Sequence, residues 1–427
     1  MTESSLLNDD VCIGSGDSLP SPRLPPELTD RVIDNLHDSK ADLRRCSLVC
    51  RSWLPSSSFH LFHYLHIRRD PDSNFDDQST FNAFITLLQT SPRVYSYLRG
   101  LSFESKIPET GFSNRRGRMH LRTLEEILDI LPNLLHLDLR LSIFDPTNGV
   151  PNRVARGNAR KLKTLTFTGV CFGPTPSLMD VLGCFNEVDS LILRDSNYAY
   201  YENVTPVIHH ASSRLRVRSL SFECALLGCF QTLKHRLDCS SGSLTTLAVD
   251  AASVAVASDL EAALQDIGSS LLHLRFCYKS QYRTTFLSPC TRLQSLNLTW
   301  GLGSGYDRPM KWEGCMAIIR DGNLSSLTHL SLILRCYVYT TSVGHDPEKW
   351  SPTDSYHLES VRWEMLHEAT SRCTLLRSID LDFDLHGLKG HMAGKHDQYF
   401  HFVERLKGIL WRRMPEPTRS LLKVGSP

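Results

Sequence analysis

From residue 62 onward, apolar side chains recur in one short pattern: an apolar residue, two others, an apolar residue, one other, and an apolar residue. It occurs as Phe62-Leu65-Ile67, Leu98-Leu101-Phe103, Leu134-Leu137-Leu139 and Leu162-Leu165-Phe167. It continues as Val188-Leu191-Leu193, Val217-Leu220-Phe222, Leu244-Leu247-Val249 and Leu271-Leu274-Phe276, and then as Leu293-Leu296-Leu298, Leu327-Leu330-Leu332 and Leu376-Ile379-Leu381. In each segment the last two apolar residues lie two apart, which places them on one face of a short strand. Between many of these segments the spacing turns helical, over Leu121–Leu131, Ser177–Phe185, Ala257–Ile267, Trp312–Arg320 and Leu358–Thr370. The central apolar residues from 137 to 296 are separated by 28, 26, 29, 27, 27 and 22 positions. A strand and a helix at that interval predict an α/β architecture of parallel strands stacked side by side with helices outside, each unit burying its apolar face against its neighbours. A doubly wound sheet is the rival, and it would need longer, more continuous apolar strands.

Before residue 62 the pattern is helical. Pro25 and Pro26 fix φ near the helical value and lack an N–H, which suits a first helical turn. Glu27 and Asp30 put negative charge near the positive end of that helix. Leu28, Val32, Ile33 and Leu36 recur at helical spacing as one apolar stripe. His37-Asp38-Ser39-Lys40 interrupts it. Asp42 is a candidate cap for a second helix with Leu43, Cys46, Leu48 and Val49 as apolar positions. Trp53 and Leu54 precede Pro55, which disfavours continuation of that helix. Two or three helices of this length bury little surface by themselves.

The two ends of this stretch, LPPELTDRVIDNL and LRRCSLVCRSW, resemble an F-box at the separation and N-terminal position usual for that motif. The resemblance covers roughly a tenth of the chain and implies a three-helix module that docks on a Skp-type adaptor and through it on cullin and RING subunits. Carried over by position, the adaptor-binding residues are Leu24, Pro25, Leu28, Val32, Ile33, Leu36, Leu48, Val49 and Trp53. The later repeat is similar to leucine-rich repeats, whose unit is about 20–29 residues. The Asn or Cys that often follows the strand in such repeats is mostly missing, so these are degenerate copies. Together the two features resemble leucine-rich-repeat F-box receptors, in particular the F-box proteins of mushroom-forming (basidiomycete) fungi. The division that follows is a lead-in over 1–21, an F-box over 22–60, an irregular leucine-rich-repeat solenoid over 61–385, and a C-terminal capping helix and tail over 386–427.

Composition narrows the function classes. The 427 residues carry a formal net charge of +1, so no global field favours nucleic acid or an anionic membrane. No apolar run approaches the roughly 20 residues needed to span a bilayer. Residues 1–21 are polar and acidic without a basic start or an apolar core, which reads as a disordered lead-in rather than a secretory signal. The expectation is an intracellular protein of the cytoplasm or nucleus. Thirteen scattered cysteines, among them Cys46, Cys184, Cys224 and Cys277 in apolar surroundings, read as reduced buried thiols. No CxxC pair occurs, and His391, His396 and Asp397 have no second ligand cluster, so no metal or other cofactor is expected. No GxSxG, HExxH or GxxxxGK[ST] motif is present, and no catalytic residue is assigned.

The candidate binding residues lie between the apolar strand positions, on the opposite and concave face of the expected sheet. They are His136, Asp138, Arg140, Arg194, Glu223, Asp250, Arg275, Asp380 and Asp382, with Asn297 and Asp384 beside them. Solenoids commonly bind partners on that surface. The family resemblance implies a non-catalytic receptor of a cullin-RING ubiquitin ligase that holds a protein substrate there. The alternative is a repeat scaffold or sensor whose N-terminal helices serve only for packing. An exposed apolar patch between Leu24 and Leu36 favours the receptor.

Overall fold

The computed structural model of the chain describes residues 25–69, 77–105, 118–140, 143–145, 160–169, 171–172, 176–194, 197–198, 214–223, 233, 237–238, 242–250, 255–277, 285–302, 312–336, 361–384, 404 and 407–424. Leu24, Cys224, His391, His396 and Asp397 lie outside them. The chain divides into two compact units, Met1–Tyr64 and Leu65–Pro427.

The described residues of the first unit form three helices, α1 (Pro26–Asp34), α2 (Lys40–Val49) and α3 (Leu54–Phe62). Pro26 opens α1, as the sequence predicts, with Glu27 in its first turn and Arg31 in its last. The cap of α2 is Ser39 rather than Asp42. The Asp42 amide donates to the Ser39 hydroxyl at 3.4 Å, and that hydroxyl donates to the Asp42 carboxylate at 2.6 Å. The polar break therefore begins the helix instead of separating it from its cap, because Ser39 has the short side-chain oxygen that a first-turn N–H needs. Pro55 likewise lies in the first turn of α3, so it starts a third helix where the sequence pattern suggested an ending. Phe62, read as the first apolar position of the repeat, is the last residue of α3.

Polar contacts tie α3 to the other two helices. His60 meets the Asp34 carboxylate at 2.7 Å, and Ser56 donates to Asp30. Lys40 Nζ donates to the His60 carbonyl at 2.5 Å. Among its described residues the buried apolar side chains are Ile33, Leu43 and Cys46, with Thr29 and Ser57 as buried polar residues.

The second unit is organised by strands. In chain order these are β1 (Tyr64–Arg69), β2 (Gly100–Ser105), β3 (Arg118–His120), β4 (His136–Arg140), β5 (Ile143–Asp145), β6 (Lys161–Thr168), β7 (Cys171–Phe172) and β8 (Glu187–Arg194). They continue as β9 (Asn197–Tyr198), β10 (Arg216–Glu223), β11 (Thr246–Asp250), β12 (His273–Cys277), β13 (Ser295–Leu302), β14 (His329–Cys336), β15 (Ser378–Asp384) and β16 (Leu422–Val424). Among the described residues, twelve form one parallel sheet in the order β1-β2-β4-β6-β8-β10-β11-β12-β13-β14-β15-β16. The eleven repeat segments supply its first eleven strands.

Register explains why a fixed spacing produces this sheet. Leu101, Leu137, Leu165, Leu191, Leu220, Leu247, Leu274, Leu296, Leu330 and Ile379 stand opposite one another on successive strands. Phe103, Leu139, Phe167, Leu193, Phe222, Val249, Phe276, Leu298, Leu332 and Leu381 form a second such ladder. Every residue of both ladders is at most 5% exposed. Full burial of one such side chain contributes about 1.5–3 kcal/mol. A shift of one residue on any strand would turn both ladders to the other face.

Helices pack on the ladder side. Leu121–Ile130, Ala255–Ile267, Trp312–Asp321 and Glu364–Thr370 contribute Leu124, Ile127, Leu264, Ile318, Ile319 and Leu366 to the same core cluster. The helix expected from residue 358 begins at Glu364. Trp300, Trp312 and Trp363 pack in sequence as tilted rings with centroids 5.1 Å apart at each step. Trp312 donates its indole N–H to the Arg362 carbonyl at 2.9 Å, which satisfies the polar end of a buried ring. Gly268 opens a 3-10 turn, Gly268–Ser270, where a Cβ would sit 2.8 Å from the Cβ of Pro289. Only glycine fits that approach.

Two features depart from the sequence reading. Short strands β3, β5, β7 and β9 form a second parallel sheet of their own. The C-terminal segment read as a helix and tail does contain helical residues 407–413, but it also returns to the main sheet. There β16 places Leu422 opposite Ile379 and Val424 opposite Leu381, extending both ladders. The sheet therefore continues beyond residue 385. A three-residue strand carries only part of the apolar unit, which is why the pattern did not reveal it.

Candidate docking face and open sheet face

The residues assigned to adaptor docking separate into two sets. Leu28 and Val32 lie four apart on α1 and are 46% and 47% exposed. Leu48 and Val49, at the end of α2, are 86% and 61% exposed. Pro25 is exposed, while Leu36 and Trp53 are partly buried. Ile33 is fully buried and so is not available as a surface contact. Helical geometry accounts for this correction: Thr29 and Ile33 share the inward face, whereas Leu28 and Val32 are rotated by about 100° from them. Likewise Leu43 and Cys46 turn inward on α2, leaving Leu48 outside. Two exposed apolar residues escaped the sequence reading, Leu54 and Phe59 on α3. The Pro55 helix start was the available signal for them. The Ser39 hydroxyl, the larger influence, and the Arg45 guanidinium hold the Asp42 carboxyl below its ordinary range, while burial pushes the Lys40 ammonium down.

The second candidate surface is the sheet face turned away from the core. His136, Asp138 and Arg140 lie on β4, Arg194 on β8, Glu223 on β10, Asp250 on β11, Arg275 on β12, and Asp380 and Asp382 on β15. All occupy positions alternating with the buried ladders, as expected. The sequence could not show how many of them pair. Arg140 Nε donates to Asp138 at 2.7 Å, and Arg194 Nε lies 2.8 Å from Glu223, its register neighbour. Arg68 and Glu104 make a similar pair at 3.0 Å. His329 receives or donates a 2.7 Å hydrogen bond with the Ser378 hydroxyl through Nδ1, and its Nε2 lies 3.5 Å from Asp380. These three side chains lie on the paired strands β14 and β15.

One row along this face is partly sunk. Ser102, Asp138 and Thr166 are register neighbours and are buried. The Ser102 hydroxyl and the second Asp138 oxygen have no hydrogen-bond partner among the described residues. Burial, and then the charge of Lys163, lowers the pKa of neighbouring His136. Asn297 is half-buried on β13, and the side chain of Asp384 lies outside the described positions.

Among the described residues, no group of three or more His, Cys, Asp or Glu side chains is placed to hold a metal ion. No described helix is long and apolar enough to cross a membrane. Burial pushes the Cys290 thiol up to about 12 and the Cys373 thiol up to about 11, and raises Cys315 as well. Cys50 is exposed, unlike these three. The sequence matches no protein-family model and no curated protein.

Proposed function

We propose that this chain is the substrate-recognition subunit of a cullin-RING ubiquitin ligase, with α1–α3 acting as an F-box and the strand-rich unit acting as a degenerate leucine-rich-repeat receptor. The observation that carries the reading is the outward apolar set Leu28, Val32, Leu48 and Val49 on two short helices whose opposite faces are buried. Large apolar side chains gathered on a small helical unit mark an interaction surface. The resemblance of the sequence motifs to an F-box supports a Skp-type adaptor as the occupant. The receptor would raise the local concentration of substrate lysines near a charged ubiquitin-conjugating enzyme, so the chemistry belongs to its partners.

The experiment is co-elution of the purified chain with a Skp-type adaptor on size-exclusion chromatography, using wild type and Leu28→Asp/Val32→Asp. Stable co-elution of wild type and its loss in the folded variant support the reading. A folded wild-type chain that elutes apart from the adaptor overturns it and leaves a repeat scaffold or sensor without ligase association.

A further inference from the structure

We infer that the open sheet face receives an acidic, extended segment of a partner protein, with one carboxylate seated on Arg275. The inference rests on reading that face as the receptor's binding surface and adds the chemistry of what it binds.

Charge accounting along the strands leads to this residue. Arg68 is matched by Glu104, Arg140 by Asp138, and Arg194 by Glu223, while Asp380, three strands from Arg275, has His329 at 3.5 Å. Asp250 has an interaction of its own. Arg275 projects from the middle of the sheet, is exposed, and has no ion-pair or hydrogen-bond partner among the described residues. His273 is exposed two positions earlier on the same strand and the same face.

The surroundings leave room for a backbone. Arg275 stands opposite Ala248 on one side and Asn297 on the other. Ser221 lies beyond Ala248, and Ser331 lies beyond Asn297. These short side chains make a low floor on either side of one long cation. Five strands from β10 to β14 span about 19 Å at ordinary strand spacing, the reach of about six extended residues. A guanidinium presents a planar fork that accepts a carboxylate through two parallel hydrogen bonds. Because Arg275 makes no pair of its own among the described residues, an incoming carboxylate displaces none at this position.

The test uses the full chain and two fluorescein-labelled peptides, hexaglutamate and hexalysine, read by fluorescence anisotropy. Hexaglutamate is expected to bind, more weakly as salt rises. Arg275→Glu should weaken it by roughly tenfold or more, and Arg275→Lys by less, because an ammonium keeps the charge but loses the fork. Ala248→Trp should also weaken binding by filling the floor while leaving the charge in place. Preferential binding of hexalysine, absence of hexaglutamate binding, or an unchanged affinity in Arg275→Glu would each overturn the inference. Adaptor co-elution of the same wild-type and Arg275→Glu preparations separates the two proposals. A chain that fails to bind the adaptor yet binds hexaglutamate through Arg275 loses the ligase reading and keeps the acidic-segment site.

Discussion

Leu48 and Val49 offer the sharpest quantitative test, because the free chain gains little from them. With 86% and 61% of their surface exposed, they contribute little to the interior of their own unit. Replacing both by alanine should shift the urea midpoint by an amount corresponding to about 0.5 kcal/mol or less, as for ordinary surface substitutions. Docking changes that balance. Full burial of a leucine or valine is worth about 1.5–3 kcal/mol, and alanine retains part of that. Scaled by the exposed fraction, the pair should contribute about 3 kcal/mol to adaptor binding. At 1.4 kcal/mol per factor of ten, the double variant should bind roughly 100-fold more weakly. Isothermal titration calorimetry against a Skp-type adaptor measures this directly, with the urea transition as the folding control. Affinity within threefold of wild type in a folded Leu48→Ala/Val49→Ala chain would refute the assignment of this face. Ile33→Ala provides the contrast: as a buried residue it should lower stability by about 2–5 kcal/mol, so its effect on binding would come through unfolding.

Three further predictions concern the fold and its ionisable groups. Gly268→Ala should destabilise the second unit by about 1–3 kcal/mol in urea unfolding, since its methyl would meet Pro289. The buried thiols Cys290 and Cys373 should resist a thiol-reactive dye at pH 8 in the native state and react on unfolding, whereas exposed Cys50 should react at once. His136 has a folded-state pKa below the usual value of about 6.5, so the unfolded chain takes its proton first. Stability should therefore decline as pH falls through about 6.5 toward the lower folded pKa, and His136→Gln should remove that part of the decline in acid-range urea titrations.

The sequence exposed the strands well because their signal is local and repeated. Leu247 and Val249 announce a strand by their spacing alone, and the same spacing in neighbouring units sets the register. Boundaries were harder. Ser39 takes the capping role expected of Asp42 because a cap depends on the dihedral angles of its own residue, which spacing does not encode. The stripe Leu28-Val32-Ile33-Leu36 was legible as apolar, but not how it divides between an interior and a surface, since one helix serves both. On the open face, alternation identified Asp138, Arg194, Glu223 and Arg275 as outward positions. Their pairing was hidden because it depends on which strand lies alongside: Arg194 meets Glu223 from 29 positions away. The same reason concealed β16, whose place in the sheet comes from Ile379 and Leu381 rather than from its own three residues.

The order of the main sheet has a consequence for synthesis. Each new strand adds beside the most recent main-sheet strand, so its hydrogen-bonding partner has already left the ribosome when it emerges. No strand waits for a partner made later, and even the longest closure, from Cys336 to Ser378, costs little more than the others because loop entropy grows slowly with length. The growing edge is the aggregation hazard, since at every moment one strand displays unpaired backbone groups. At that edge of the main sheet the last described strand, β16, is among the shortest, three residues with Lys423 at its centre. That edge of the sheet is thereby short and charged, and it gives a neighbouring chain few backbone groups to pair with.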